Sequence, residues 1–232
     1  MAGPNSNDLP QGSLFARLRD ANAEAWQDYT EHPFLMALAD GNLSEPAFRH
    51  YLIQDFIFLR HFARAYGLAA YKAENLDEIR TASRGLQAIV DVEIGLHESY
   101  CTDWGVDSAT LEAAPEHNAT LAYTRYVLER GMAGDLLDLY VALAPCIIGY
   151  GEIGARLLAN NRTKLEGNRF AAWIEMYGGE DYQTISADAV RYLDQVGRRR
   201  GADSRFPALC RIFAEATRLE AAFWQMGLDA GE

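Results

Sequence analysis

Three side chains that can transfer protons or act as nucleophiles occur in apolar surroundings, at separate places in the sequence. Asp55 lies in YLIQDFIFL, where the residues one helical turn away on either side are apolar or aromatic. Glu220 precedes Phe223 and Trp224 by one turn in TRLEAAFWQM. Cys146 lies in the apolar run LAPCIIGY. Carboxyl and thiol groups in such settings have perturbed pKa values, which is a property of many catalytic groups.

Both carboxyl groups admit a structural and a functional interpretation. Burial of an unpaired carboxylate is unfavourable, so Asp55 needs either a salt bridge or hydrogen bond to another helix, or a bound polar ligand. Aromatic neighbours would raise the pKa of the Glu220 carboxyl group towards the value that a general acid needs near neutral pH. Alternatively, Glu220 shares a partly exposed face with Arg218.

The cysteine is ambiguous on its own. Cysteine is among the most buried residue types, so Cys146 alone is best interpreted as a small core residue, and burial makes a thiol inert. However, Ala142 and Gly149 beside it leave room for a flat ligand against the helix. Tyr123 and Tyr177, taken singly, are interpreted as packing residues with hydrogen-bonded hydroxyl groups.

The histidines give weak indications of a metal or haem site. His97 and Glu98, with Glu93 a turn earlier, are candidates for a helical di-iron centre, but that class carries a Glu-x-x-His pair on each of two helices. This chain has the spacing Glu-x-x-x-His and no second copy, so we expect no metal site. His32 in EHPF is a conceivable haem ligand, but beside a helix-breaking proline a helix cap is the expected role.

Composition limits the possible partners and the compartment. The 232 residues are 49% hydrophobic and 11% aromatic, enough for a sizeable core in one domain. The formal net charge of −12 disfavours nucleic acid and anionic membranes as partners. Three widely spaced cysteines suggest no disulfide framework. With no signal-peptide pattern and no run of membrane-spanning length expected, we predict a cytoplasmic protein without membrane contact.

Helical periodicity runs through the chain, and strand signals are weak. We predict a single all-α domain over residues 13–232, a helical bundle, after a flexible N-terminal tail over residues 1–12. Start and stop signals place helices from Ser13 to a break at Pro33, from Ser44 to about Ala73, from Asp77 to about Trp104, at about 118–131 and 134–160, before a stop at Gly178, and at about 183–199 and 206–226.

Five segments, in this order and spacing, resemble the TenA (thiaminase II) family, a branch of the haem-oxygenase-like all-α fold. They are EHPFLMALADGNLSEPAFRHYLIQDFIFL, VDVEIGLHESY, LAPCIIGYGEIG, WIEMYGGEDY and EAAFWQMGL, and together they cover nearly the whole chain. The resemblance implies a hydrolase of thiamin salvage. It would release 4-amino-5-hydroxymethyl-2-methylpyrimidine from the corresponding aminomethylpyrimidine and from thiamin. It further implies a homotetramer and no metal or organic cofactor.

The resemblance also implies roles for particular residues. Cys146 would be the nucleophile and Glu220 the acid. Asp55 would hold the aminopyrimidine through its exocyclic amine and the adjacent ring nitrogen. The tyrosines expected to line the site are Tyr123, Tyr150 and Tyr177.

One position departs from the family pattern. In QDFIFL, Phe58 stands where the family usually has a tyrosine whose hydroxyl helps to activate the cysteine. The rate and the preferred leaving group therefore stay open. Two alternatives also remain: a non-catalytic pyrimidine-binding or regulatory protein, which would not need Cys146 and Glu220 together, and a metal-dependent oxidase on the same fold, which needs more ligands than this sequence offers.

Overall fold

The computed structural model describes residues 12–231, and all the regular structure in that range is helical. Residues 1–11 of the predicted tail lie outside the described residues. The elements in chain order are α1 (Leu14–Ala21), α2 (Ala23–Thr30), α3 (Pro33–Ala39), α4 (Glu45–Lys72), α5 (Leu76–Ala88), the π-helical segment π1 (Ile89–Glu93), α6 (Ile94–Asp103), α7 (Ser108–Ala113), α8 (Asn118–Ala133), α9 (Leu136–Ala159), α10 (Ala171–Gly178), α11 (Glu180–Arg199) and α12 (Ala202–Asp229).

Side-chain caps begin several of these helices where the sequence predicts them. The hydroxyl oxygens of Ser13 and Ser44 accept hydrogen bonds from backbone N–H groups in the first turns of α1 and α4, at 3.1 and 3.3 Å. His32 Nδ1 accepts a hydrogen bond from the backbone N–H of Phe34 at 3.2 Å. His32 is thus the N-cap of α3, as expected, with Pro33 in the first turn.

Two predicted helices are interrupted. The first ends at Ala21 and restarts at Ala23, so α1 and α2 replace one helix. The long helix predicted from Asp77 to Trp104 contains π1 at Ile89–Glu93, which separates α5 from α6. A π-helical turn accommodates one extra residue in a helix and is common at functional sites. The short helix α7 was not predicted from the sequence.

The short helix α10 ends at Gly178, as the sequence predicts. Its φ is not among the positive values found at described glycines, so the helix does not end there in a left-handed turn. A Cβ atom at Gly178 would lie 2.7 Å from the backbone oxygen of Gly154 in α9. The residue is glycine because α9 and α10 approach closely there.

The chain divides into two compact units. The first contains the described residues up to Leu43 together with Tyr140–Trp224, and the second contains Ser44–Leu139 with the described residues from Gln225 on. In the second unit α4 packs against α5, π1, α6, α7 and α8. The single domain over residues 13–232 stays a prediction.

Helix α9 corrects the expectation that no run reaches membrane-spanning length. Its 24 residues include an 18-residue window of mean hydropathy 1.5, enough to cross a membrane by length and composition. However, 83% of that window is buried inside the protein, as in a core helix.

Candidate functional site

Four large rings form an aromatic cluster in the first unit: Tyr150, Trp173, Tyr177 and Trp224. The Tyr150 ring centroid lies 4.9 Å from that of Tyr177 and 5.2 Å from that of Trp224. Trp173 and Tyr177 are 4.6 Å apart, and all four rings are buried. The cluster thereby joins α9, α10 and α12 of this unit and offers ring faces of the kind that pack against planar ligands.

Cys146 lies on α9, one turn before Tyr150 of the aromatic cluster. Its side chain is neither fully buried nor disulfide-bonded. Pro145, immediately before it, lies inside the helix, and the Pro145 carbonyl accepts a hydrogen bond from the Tyr29 hydroxyl at 3.2 Å. Cys146 is therefore only partly buried, and the proline before it removes one backbone donor from the helix.

The space beside Gly149 is filled by Tyr29 and not left open for a ligand. A Cβ atom at Gly149 would lie 2.6 Å from the Tyr29 ring. The sequence gives no local signal for this contact, because Tyr29 lies on α2, far from α9 along the chain.

Glu220 is buried, with a side chain in α12 one turn before Trp224. The residue is only 2% exposed, and Thr217 on the same stretch is fully buried. Arg218, its proposed surface neighbour, pairs instead with Glu215 at 3.2 Å. The alternative interpretation, a partly exposed face, is therefore wrong, and Glu220 is a buried carboxyl group of the first unit.

Asp55 lies on α4 in the second unit and is 6% exposed. Its Oδ2 faces His97 Nδ1 at 3.5 Å, across the interface between α4 and α6. His97 Nε2 lies 2.7 Å from the Leu52 carbonyl oxygen. Because a carbonyl oxygen only accepts, Nε2 carries a proton. His97 is therefore the polar partner on another helix that the structural interpretation of Asp55 requires.

Burial is the main cause of the shifted pKa values of Asp55, Glu93 and His97. Burial raises the pKa of Asp55 to about 7, against the opposing effect of a hydrogen bond from Tyr51. Burial, and then the neighbouring Asp55, raise the pKa of Glu93 to about 7 as well. Burial lowers the pKa of His97. Two carboxyl groups that are hard to ionise therefore stand near an imidazole that is hard to protonate.

Phe58 and Tyr123 are in contact in the second unit. Their ring centroids are 5.0 Å apart, and both residues are buried. Phe58 also stacks on Phe62 at 5.5 Å. At this position the phenylalanine contributes an apolar ring without a hydroxyl group.

Among the described residues, no group of three or more histidine, cysteine, aspartate or glutamate side chains is arranged to hold a metal ion. The trio Glu93, His97 and Glu98 is thus not assembled as a ligand set. Glu93 and His97 interact instead with Asp55, a relation that their spacing alone does not reveal.

Each unit assembles a subset of the predicted site residues. The first unit brings Tyr150 and Tyr177 into contact and places Cys146 and Glu220 each one turn from the aromatic cluster. The second unit holds Asp55, Phe58 and Tyr123 on α4 and α8. Trp173 was not predicted as a site residue, although its position one turn before Tyr177 in WIEMY was a usable signal.

Comparison with known proteins supports these observations. The profile of the family described as TENA/THI-4/PQQC matches residues 19–230. An uncharacterized protein of Haemophilus influenzae is 39% identical over 88% of this chain and 94% of its own length. A protein of Halalkalibacterium halodurans named aminopyrimidine aminohydrolase is 32% identical over 94% of this chain and 96% of its own length.

Solved structures show the same fold. A TenA family transcription regulator from Silicibacter sp. TM1040 has a TM-score of 0.87 at 45% identity, over 94% of this chain and 98% of that chain. A heme oxygenase-like domain of unknown function from Shewanella denitrificans has a TM-score of 0.73 at 13% identity, over 93% of this chain and 92% of that one, and shows the fold alone. The predicted all-α, haem-oxygenase-like fold is confirmed. With its match over residues 19–230, the chain belongs to the TENA/THI-4/PQQC family.

Proposed function

We propose that this protein is an aminopyrimidine hydrolase of thiamin salvage that uses Cys146 as a covalent nucleophile. One observation carries the proposal: the rings of Tyr150 and Trp224 are 5.2 Å apart, and each lies one turn from a reactive group, Cys146 and Glu220 respectively. A partly accessible thiol and a buried carboxyl group beside one aromatic cluster are suited to covalent attack on a protonated ring. The relative named aminopyrimidine aminohydrolase supports the same reaction class.

The proposed reaction begins with ring protonation, because a neutral pyrimidine accepts a nucleophile poorly. Glu220 donates a proton to a ring nitrogen, and the Cys146 thiolate forms a C–S bond to the ring carbon between that nitrogen and the carbon bearing the exocyclic methylene. The leaving group then departs from the methylene with its bonding electrons, and an amine takes up a proton as it leaves. The addition divides one difficult substitution into easier steps.

Water completes the proposed cycle. Its oxygen bonds to the methylene and loses a proton, the C–S bond breaks, and the thiolate is released. The ring nitrogen returns its proton to Glu220, which restores the acid. Asp55 holds the exocyclic amine and the adjacent ring nitrogen. The tyrosines Tyr123, Tyr150 and Tyr177 line the ring, with offset stacking as the favoured geometry.

The substrates we propose are 4-amino-5-aminomethyl-2-methylpyrimidine and thiamin, with no metal or organic cofactor. Phe58 lacks the hydroxyl that supports thiolate formation in the family, so the substrate with the better leaving group should be favoured. The homotetramer and the cytoplasmic location stay predictions. Light scattering measures the oligomeric state, and cell fractionation determines the location. Exposed apolar side chains such as Tyr71, which is 83% exposed, support association between copies.

A non-catalytic pyrimidine-binding regulator is the second candidate. The solved structure at 45% identity is named a transcription regulator, and Phe58 removes a hydroxyl that only catalysis needs. Such a protein would bind the pyrimidine without turning it over. An enzymatic assay therefore separates the two candidates.

The test is release of hydroxymethylpyrimidine from each substrate, followed by chromatography, for the wild type, Cys146→Ser and Cys210→Ser. Cys210 is a matched control because it too is a partly exposed helical cysteine outside any disulfide. We expect release by the wild type and Cys210→Ser, and a loss of about a thousandfold or more in Cys146→Ser. Binding without release by the wild type would support the regulator, and equal rates in all three proteins would remove Cys146 from the mechanism.

A further inference from the structure

Tyr29 of α2 contacts α9 at both ends of one helical turn. Its hydroxyl group donates a hydrogen bond to the Pro145 carbonyl oxygen at 3.2 Å. Its ring lies against Gly149, where an added Cβ atom would lie 2.6 Å from ring carbon Cε1 and 2.8 Å from the hydroxyl oxygen. Tyr29 is fully buried, so both contacts are made in the protein interior.

Each of these contacts directly precedes a residue of the candidate site. Cys146 follows Pro145 in the sequence, and Tyr150 follows Gly149. A shift of the backbone at the first contact therefore moves the thiol group, and a shift at the second moves the phenol ring. Tyr29 thus acts on the turn of α9 that connects the proposed nucleophile to the aromatic cluster.

This turn of α9 needs support from outside the helix. Pro145 lies inside α9 and has no backbone N–H, so it cannot donate the intrahelical hydrogen bond to the Val141 carbonyl. A helix that lacks such a bond is easier to bend at that point. Gly149 adds backbone freedom one turn later. The two contacts of Tyr29 lie at these two weak positions of the helix.

Neighbouring groups hold Tyr29 itself in place. Its ring is nearly parallel to that of Trp224 in the aromatic cluster, with centroids 6.3 Å apart and planes inclined by 10°. It meets the Trp26 ring nearly at right angles, with centroids 5.5 Å apart. Trp26 Nε1 in turn donates a hydrogen bond to Glu152 Oε1 of α9 at 2.9 Å. Helix α2 is therefore joined to α9 at a further point and to the cluster.

We propose that Tyr29 is a positioning residue for Cys146, which holds the thiol group in place for attack on the pyrimidine ring. The hydroxyl group fixes the Pro145 carbonyl, and the ring sets the distance between α2 and α9 at Gly149. The inference rests on the proposed function and adds to it a residue that acts through the backbone of α9.

Loss of this support should affect the chemical step more than substrate binding. Attack on a ring carbon requires the nucleophile at a narrow range of distances and angles, and a displacement of about 1 Å can cost about a hundredfold in rate. In the proposed function the substrate is held by Asp55 and by the tyrosines that line the ring. A change confined to the Pro145 contact should therefore lower kcat and leave KM near its wild-type value.

Tyr29→Phe is the selective test, because it removes the hydroxyl group at Pro145 and keeps the ring at Gly149. Steady-state kinetics with 4-amino-5-aminomethyl-2-methylpyrimidine should show kcat lowered about tenfold and KM changed by less than about twofold. Calorimetry should give an unchanged Kd for 4-amino-5-hydroxymethyl-2-methylpyrimidine. This division between kcat and binding distinguishes positioning from a purely structural role, which would change stability alone.

Tyr140→Phe is the matched control. It removes the hydroxyl group of another buried tyrosine of the same unit, which lies on α9 itself. The Tyr140 ring packs against Tyr192 of α11, with centroids 5.0 Å apart. This variant should keep the wild-type kcat, and urea denaturation of both variants shows how much stability each hydroxyl group contributes.

Gly149→Ala tests the ring contact independently. The added methyl group must displace either Tyr29 or α9, so kcat should fall at least as far as in Tyr29→Phe. The double variant should lose little more than Gly149→Ala alone, because both changes break one connected contact. Losses in kcat that multiply in the double variant would mean that the two groups act separately, which would contradict the inference. Circular dichroism checks that each variant is folded.

The outcomes separate this inference from the proposed function. Product release by the wild type with an unchanged kcat in folded Tyr29→Phe would overturn the positioning role and leave the hydrolase supported. An equal loss of kcat in Tyr140→Phe, or a loss in Tyr29→Phe that appears in KM and Kd instead of kcat, would overturn it as well. Absence of product release by the wild type would overturn both proposals.

Discussion

Asp55 and Phe58 lie one turn apart on α4, in the second unit, and differ in what they contribute to recognition and turnover. Asp55 is a buried carboxyl group with a polar neighbour, His97, at 3.5 Å. Phe58 is buried against Tyr123 and offers no hydrogen bond from its side chain. We infer that ligand recognition is retained at Asp55 and that the help given to the thiolate is reduced at Phe58.

Restoring the hydroxyl at position 58 should accelerate turnover. A hydrogen bond to a charged group contributes about 1.5–3 kcal/mol, so Phe58→Tyr is expected to raise kcat about tenfold or more with little change in KM. Steady-state kinetics on the aminomethylpyrimidine measures the effect. Phe62→Tyr is the matched control, because Phe62 stacks on Phe58 and is buried like it, and it should give no gain. An equal response of the two variants would argue against a role for a hydroxyl at position 58.

The helices of the first unit depend on close approach between backbones. A Cβ atom at Gly154 of α9 would lie 2.3 Å from the backbone carbon of Tyr177 and 2.5 Å from the Gly178 nitrogen in α10. Real atoms do not approach so closely, so any side chain at position 154 must push the helices apart. This contact places Tyr177 against Tyr150 in the aromatic cluster.

Gly154→Ala should therefore destabilise the protein, by about 1–3 kcal/mol or more from overpacking, and lower turnover by displacing Tyr177. Urea denaturation followed by fluorescence measures the free energy of unfolding. The control is Gly67→Ala in α4, where an added Cβ meets nothing within 4 Å. That variant should be stabilised by about 0.5–1 kcal/mol through helix propensity. A Gly154→Ala protein as stable as the wild type would contradict the close packing of α9 and α10.

At the scale of the whole molecule, features with local causes were predictable from the sequence. The caps at Ser13 and Ser44 and the turn at Gly41, whose φ is +71°, use contacts within a few residues. Helical periodicity over long helices such as α4 likewise predicted the all-α fold class. The five segments that resemble the TenA family predicted which proteins are related to this chain. The all-α architecture needed no tertiary information.

Features that arise from contacts distant in sequence were not predictable. The pairing of Asp55 with His97 joins α4 to α6, and the sequence presented His97 as a metal-ligand candidate instead. The helix end at Gly178 was predictable from the local sequence, but the close approach of Gly178 to the α9 backbone was not, because it depends on another element. The segment π1 has no composition that marks it. The candidate site residues were named from the family resemblance, whereas their burial and contacts became visible only in the folded structure.

Alkylation of Cys146 tests the central claim most directly, namely that this thiol acts where the aminopyrimidine binds. The measurement is the rate of iodoacetamide labelling at each cysteine, resolved by peptide mass spectrometry, with and without hydroxymethylpyrimidine. Cys210, which is likewise partly exposed and not disulfide-bonded, is the internal reference. Ligand at about ten times its Kd should slow labelling of Cys146 about tenfold and leave Cys210 unchanged. Labelling of Cys146 at the same rate with and without bound ligand would contradict the account.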